Sequence, residues 1–184
     1  MFFSKLTTAF AAIIFFGATM TSAEPVEAVA YMTSANTEAN GSILGTIKLT
    51  QDDYHSPTRV IVDVEGLTEG NHGIHIHTFG DISNGCENTG PHFNPFNRTH
   101  GDLKAKNRHA GDLGNLWADK DGHGHLDVTS DLVFLSGKFS TIGRAIVIHA
   151  DEDDLGLGNN SNSTLTGNSG KRWACGVIGF ANPV

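Results

Sequence analysis

Between Gly70 and Asp112 the chain carries six of its ten histidines, His72, His75, His77, His92, His100 and His109, and the carboxylate of Asp112 closes the run. Imidazole is the commonest biological metal ligand, so a cluster this dense points to coordination chemistry. In Gly73-Ile74-His75-Ile76-His77 apolar and polar residues alternate, the pattern of a strand. His75 and His77 then share one face, while Ile74 and Ile76 share the other and can enter a core. His149 ends a second β-type run, RAIVIH, just before a loop. Three imidazoles offered from sheet ends suit copper, which favours nitrogen donors in near-planar arrangements. His92, His100, His109 and Asp112 are three imidazoles and a carboxylate, the donor set of a closed tetrahedral zinc site. A redox-active ion on the sheet and a redox-inert ion in the loop would divide chemistry from structure.

These side chains need a rigid frame, and the rest of the sequence supplies strands. Residues 26–32, 42–51, 59–64, 116–118, 125–129, 132–135, 144–149 and 175–180 read as β-segments beside the His75/His77 strand, with Gly45 marking a bulge in the second. Asp119-Lys120-Asp121-Gly122 is a hairpin turn signal. No segment has a convincing helical period. Two stretches, 78–113 and 150–172, are much longer than ordinary connections and rich in Gly and Asn, the mark of functional loops. The pattern predicts an all-β fold, an eight-stranded antiparallel Greek-key barrel of immunoglobulin-like sandwich type, with two long functional loops. There is no internal repeat or linker, so one domain is expected.

The first residues, MFFSK followed by an apolar run over 6–16 and then Thr21-Ser22-Ala23, read as a secretory signal peptide spanning 1–23. The mature domain would cover 24–184, soluble, extracellular and without membrane insertion. Loss of Lys5 would take the net charge from -8 to -9. A chain this acidic lacks the basic stripe that nucleic acid requires. Cys86 and Cys175, in an exported chain, read as one disulfide closing a long loop, with a pair of metal thiolates as the weaker alternative. Sequons at Asn40, Asn97, Asn159 and Asn162 are possible glycosylation sites. The last two are too close for easy double occupancy. The tail Asn182-Pro183-Val184 carries no basic cluster.

The segments GNHGIHIHTFGD, GCENTGPHFNP, THG, HAGDLGN, VIHADEDDLG and GNSGKRWACGVIG together resemble the secreted copper/zinc superoxide dismutases, in order and in spacing, over essentially the whole mature chain. The resemblance implies dismutation of superoxide to dioxygen and hydrogen peroxide, with copper cycling between Cu(II) and Cu(I). It assigns His75, His77, His92 and His149 to copper, and His92, His100, His109 and Asp112 to zinc. His92 would bridge the two ions and release a proton to the substrate. Cys86 and Cys175 match the family disulfide. Asp153 matches the carboxylate that links a copper-ligand and a zinc-ligand histidine, and Arg172 the arginine that guides the anion. A homodimer is implied as well, with Gly179-Phe180-Ala181 in the contacting region.

One stretch departs from the family. Where members often carry a Glu-Glu pair and a lysine, this chain has Ser161, Asn162 and Leu165, and only Lys171 could compensate. Long-range steering of the anion is therefore expected to be weak. Other histidines have blander readings: His123 and His125 as solvated strand residues, His55 as an exposed loop residue, and His72 as a structural histidine bonding backbone. Asp151, Glu152 and Asp154 read as solvated loop charges. An adhesion-type sandwich would explain the strands and the cysteines but leaves seven ordered ligand residues to coincidence. A copper carrier or a zinc-only protein are the other readings that metal analysis would separate.

Overall fold

The computed structural model describes residues 24–35 and 43–182. The expected signal peptide over 1–23, the sequon at Asn40 and the end of the tail lie outside the described residues. The described residues form ten strands: β1 (Val26–Ser34), β2 (Ile43–Gln51), β3 (Thr58–Val64), β4 (Gly70–Ile76), β5 (Ser83–Cys86), β6 (Asp112–Ala118), β7 (Gly124–Ser130), β8 (Ala145–His149), β9 (Arg172–Val177) and β10 (Gly179–Phe180). Eight of them form a ring in the order β1-β2-β3-β7-β6-β4-β8-β9. The ring closes where β9 returns to β1, at Thr33–Cys175 and Ser34–Ala174. Every pairing in it is antiparallel, and the β3–β7 and β4–β8 neighbours are the Greek-key crossings. β10 adds to β1 outside the ring.

Strand period fixes what fills the barrel. Val60, Val62 and Val64 of β3, Ile47 and Leu49 of β2, Ile74 and Ile76 of β4, and Ile146 and Ile148 of β8 are all buried. They are every second residue of their strands, so one face of each strand is apolar and meets the others inside. The bulge expected at Gly45 is there: the β1–β2 register slips by one between Met32–Gly45 and Thr33–Ile43. Gly45 has φ +146°, and a Cβ on it would fall on the Asp63 carbonyl, so only glycine fits.

Residues 132–135 are not a strand. Val133 and Leu135 are buried as their alternation suggested, but their backbone finds side-chain partners instead of a ladder. Thr58 Oγ1 donates to the Val133 carbonyl at 2.7 Å, and Gln51 Oε1 accepts from Leu135 N at 2.9 Å. The regular structure that the sequence reading lacked consists of very short pieces: β5, a 3-10 turn at Glu87–Thr89, and α1 (Ser163–Thr166).

Candidate metal centre

β4 leaves the barrel with Ile74 and Ile76 inward and His75 outward, yet all five residues from His72 to Ile76 are buried. The outer face is dry because both long loops fold over it. The first loop is tied to the end of β4 by Ile76 N to Gly111 O (2.9 Å), Phe93 N to Ile76 O (2.8 Å) and Gly111 N to Phe93 O (3.0 Å). A bridge pairs His77 with His92 across this junction. The second loop, 150–171, is tied on by Gly73 N to Asp151 O (2.9 Å), and the loops meet at His100 N to Thr164 O (2.8 Å).

Two groups of potential ligands result, with His92 in both. Ligand atoms of His75, His77, His92 and His149 lie within 4.8 Å of one another, and all four residues are buried. On the other side Asp112 Oδ1 faces His92 Nδ1 at 3.1 Å, His100 Nδ1 at 3.0 Å and His109 Nδ1 at 3.2 Å. His75 also falls within 4.8 Å of His92, His100 and Asp112; its Nε2 is engaged by Asp153, so Nδ1 is the nitrogen it can offer. The His92 ring is central. Its centroid is 3.9 Å from that of His75, 5.1 Å from His77, 6.2 Å from His149, and 5.4 Å from both His100 and His109.

The outward-turned ring nitrogens set the tautomers. His77 Nδ1 donates to the Gly90 carbonyl (2.7 Å), His149 Nδ1 to that of Gly170 (3.2 Å), and His75 Nε2 and His100 Nε2 to the two oxygens of Asp153, both at 2.8 Å. The opposite nitrogens are then bare acceptors facing one another. His77 Nε2 is 3.3 Å from His149 Nε2, and His109 Nδ1 is 3.4 Å from His92 Nδ1. His75 Nδ1 is buried with no hydrogen-bond partner, while His100 Nδ1 faces Asp112 Oδ1 at 3.0 Å. Buried polar atoms without partners are costly, and lone pairs converging on one point ask for a cation. Imidazoles alone on one side and imidazoles with a carboxylate on the other fit copper and zinc respectively.

Electrostatics separate the two sides. Burial, reinforced by neighbouring histidines, pushes His75, His77 and His92 below the ordinary imidazole range, the last despite Asp112. Burial takes His149 down to about 4. Burial also opposes charge on His100, but Asp112 and Asp153 outweigh it and raise the ring to about 9. Asp112, although buried, is held far below the usual carboxylate range by His100, His109 and His92. One side therefore holds neutral donors and the other concentrates negative charge.

Arg172 opens β9 at the rim. Its Nη1 donates to the carbonyls of Cys86 and Glu87, both at 2.7 Å, and to Thr89 Oγ1 at 3.2 Å; its Nη2 donates to the Gly90 carbonyl at 2.7 Å. Cys86 and Cys175 are bonded to each other, with Cα atoms 5.8 Å apart, so the disulfide fixes the segment that holds the guanidinium. The site opens outward through a cavity of about 190 Å³ lined by His77, Pro91, His92, His149, Leu165, Thr166, Ser169, Gly170 and Arg172. Leu165 stands on that rim 61% exposed, in place of a cation.

Sequence reasoning missed several supports. Asn115 clamps Asp153 from behind, its amide oxygen accepting from Asp153 N and its amide nitrogen donating to Asp153 O, both at 2.8 Å. Asp154 is half-buried and shapes the second loop through Ser163 Oγ (2.8 Å), Asn168 Nδ2 (2.6 Å) and Gly156 N (3.0 Å), so it is not a solvated charge. Gly167, at φ +67°, passes so close to Asp153 and His100 that a Cβ would strike both. Its place after an ST-rich turn was the available signal. His72 bonds backbone as expected, at His149 O (2.9 Å) and Thr68 O (2.8 Å). His55, His123 and His125 are exposed and join neither group.

The sequence matches the family model described as copper/zinc superoxide dismutase (SODC) over residues 43–178. It is 49% identical over 140 residues to a superoxide dismutase [Cu-Zn] of Onchocerca volvulus, covering 74% of this chain and 89% of that protein. Against extracellular superoxide dismutases [Cu-Zn] it is 48% identical in Brugia pahangi, over 77% of this chain and 72% of that protein, and 46% identical in Drosophila melanogaster, over 85% and 86%. With the barrel, the paired ligand groups and these matches together, the chain belongs to the copper/zinc superoxide dismutase family.

Proposed function

We propose that the chain dismutates superoxide outside the cell, with copper held by His75, His77, His92 and His149 and zinc by His92, His100, His109 and Asp112. The observation that carries this reading is the position of His92: its Nδ1 faces Asp112 and His109, which leaves Nε2 for the all-imidazole group. His109 completes the zinc side because its Nδ1 faces Asp112 Oδ1 at 3.2 Å and His92 Nδ1 at 3.4 Å, while the free Nδ1 of His75 serves the copper group. When bound, copper supplies the one-electron couple by which one superoxide is oxidised to dioxygen and a second reduced to peroxide, and zinc fixes the far side of His92.

The chain's own groups do the rest. Arg172 has five N–H donors, and its four bonds to the disulfide segment leave others facing the cavity, where they bind and orient the anion. His92 would carry a proton at Nε2 whenever that nitrogen is not engaged by copper and would deliver it to the reduced substrate; water supplies the second proton that makes hydrogen peroxide. Asp153 keeps His75 and His100 in the tautomers that leave Nδ1 bare. The loops exclude bulk water from all but the cavity mouth.

Residues 1–23 act as an export signal in this reading, and the mature domain is 24–184. That fits relatives named extracellular. The domain forms a homodimer through the apolar outer surface near β10, where Phe180 is 66% and Phe79 55% exposed. Light scattering on the purified mature protein tests that state. For the activity, metal content measured beside superoxide consumption is decisive: one copper and one zinc per chain with consumption of superoxide is expected. A fully metallated protein that leaves superoxide untouched would overturn the assignment.

A further inference from the structure

We infer that Asn162 carries an N-linked glycan that stands over the mouth of the site cavity and screens it from bulky molecules; the inference rests on the export signal proposed above. Three of the four sequons fall in described residues, and all three asparagines, Asn97, Asn159 and Asn162, are exposed. Only Asn162 is tied to the cavity. It caps α1, and its carbonyl accepts from Leu165 N at 3.1 Å and Thr166 N at 2.7 Å. Residues three and four apart on a helical turn share a face. Asn162 therefore projects from the same side as Leu165 and Thr166, and both of those line the cavity with His77, His92, His149 and Arg172. The Asn162 side chain makes no capping hydrogen bond, and Thr164, which completes the sequon, is exposed. The buried hydroxyl of this turn belongs to Ser163, which binds Asp154 at 2.8 Å and does not depend on the sequon.

The second observation is chemical. This loop exposes two leucines, Leu157 at 81% and Leu165 at 61%, and Leu165 lines the cavity by which an anion enters. Apolar rim residues do nothing for a small anion, but a sugar chain rooted one turn away covers them, and a glycan is bulky and hydrated. Superoxide passes such a screen, whereas chelators and proteins meet it. Asn159 lies in irregular backbone before α1, has no such bonds to the cavity-lining residues and does not itself line the cavity, and Asn97 is in the other loop.

The test uses the full chain secreted from a glycosylating eukaryotic host and purified as the metal-loaded protein. Enzymatic release of N-glycans in heavy-oxygen water converts each occupied asparagine to labelled aspartate, which peptide mass analysis locates. Label at residue 162 is expected. Copper should leave the untreated protein for a bulky chelator roughly threefold or more slowly than it leaves the deglycosylated protein. The variant Thr164→Ala should behave like the deglycosylated protein without treatment, and Ser161→Ala, which removes only the Asn159 sequon, like the untreated one. Absence of label at 162, label at 159 alone, or equal chelation rates overturns the inference. Loss of superoxide consumption in every sample, with label at 162 present, counts against the catalytic reading and leaves this one standing. A product that keeps residues 1–23 and carries no glycan sinks the export reading and this inference together.

Discussion

Replacing Leu165 by lysine puts a charge back on a rim that lacks one, and its effect on the approach of an anion can be sized. A cavity of about 190 Å³ has a radius of a few ångströms, so an ammonium at its edge sits roughly 10 Å from a bound anion, where Coulomb's law in water gives about 0.4 kcal/mol. That corresponds to roughly a twofold gain in encounter rate at low ionic strength. At physiological salt the Debye length is about 8 Å, so the gain shrinks to roughly a fifth above wild type. Low-dielectric walls focus the field and would enlarge both figures together. The wild-type rim is close to neutral at these positions, with Ser161 and Asn162 in place of acidic residues and Leu165 in place of a cation, so its own steering comes from Arg172 and the exposed Lys171. Stopped-flow measurement of kcat/KM across ionic strength should show a steeper decline for Leu165→Lys than for wild type, the two curves converging at high salt. A wild-type decline as steep as that of Leu165→Lys, or an equal ratio at all salt concentrations, refutes the reasoning.

Asp153→Asn keeps shape but can no longer accept from both His75 and His100; zinc affinity, read by chelator competition, should fall roughly ten- to a hundredfold. Arg172→Lys keeps charge but not the fork that reaches Cys86, Glu87 and Gly90, so azide binding at the copper, followed optically, should weaken nearly as much as in Arg172→Ala. Cys86→Ser/Cys175→Ser opens a closure of 89 residues, and urea unfolding of the metal-loaded protein should show a loss of about 4 kcal/mol. In the metal-free protein His149 titrates near 4 in the fold; the unfolded chain binds that proton first, so stability should fall by about 3 kcal/mol as pH drops from about 6.5 to 4. His100 acts in the opposite sense. With its folded value at about 9, its contribution is complete below pH 6.5 and is lost as pH rises toward 9, so unfolding of stripped protein across pH should show a maximum between. Stability still climbing above pH 9 would contradict that assignment.

The parts of the site carried by strands were legible in the sequence, because period-two alternation states which face a side chain takes. Ile74 and Ile76 inward with His75 outward needed nothing beyond that rule, nor did His149 at the end of β8. Alternation failed at 132–135, where Val133 and Leu135 are core residues without a neighbouring strand; burial alone produces the same pattern. The ligands in the first loop, His92, His100 and His109 with Asp112, were found by residue type as one donor set, while the sharing of His92 between two ions was implied only by resemblance, since no period links His92 to the strand histidines. What could not be read was backbone chemistry. The carbonyls of Cys86, Glu87 and Gly90 that hold Arg172, and the Asp153 backbone that pairs with the Asn115 side chain, have no signature in residue type, because each depends on where two distant segments happen to touch. The departure at Leu165 was legible as a difference, but its place on the cavity rim required the fold.

The barrel and the metal centre pull against each other, and the loops decide the outcome. A barrel filled by Ile47, Leu49, Val60, Val62, Ile74, Ile76, Ile146 and Ile148 needs no metal to close. Against its outer wall the chain then buries His75 Nδ1 without a partner and brings His77 Nε2 to 3.3 Å from His149 Nε2, arrangements that cost free energy in the metal-free fold. The cost is held in place by many small bonds: the Gly111 and Phe93 bonds to Ile76, Asn115 on Asp153, the Asp154 web, and the disulfide. A site that is strained when empty and satisfied when filled binds its ions with the free energy of that relief added to coordination, and the folded state gains by mass action whatever the ions bind. It follows that the two loops, not the barrel strands, should be the segments whose local opening changes most when the ions are removed, because they alone hold the unpaired nitrogens against the wall.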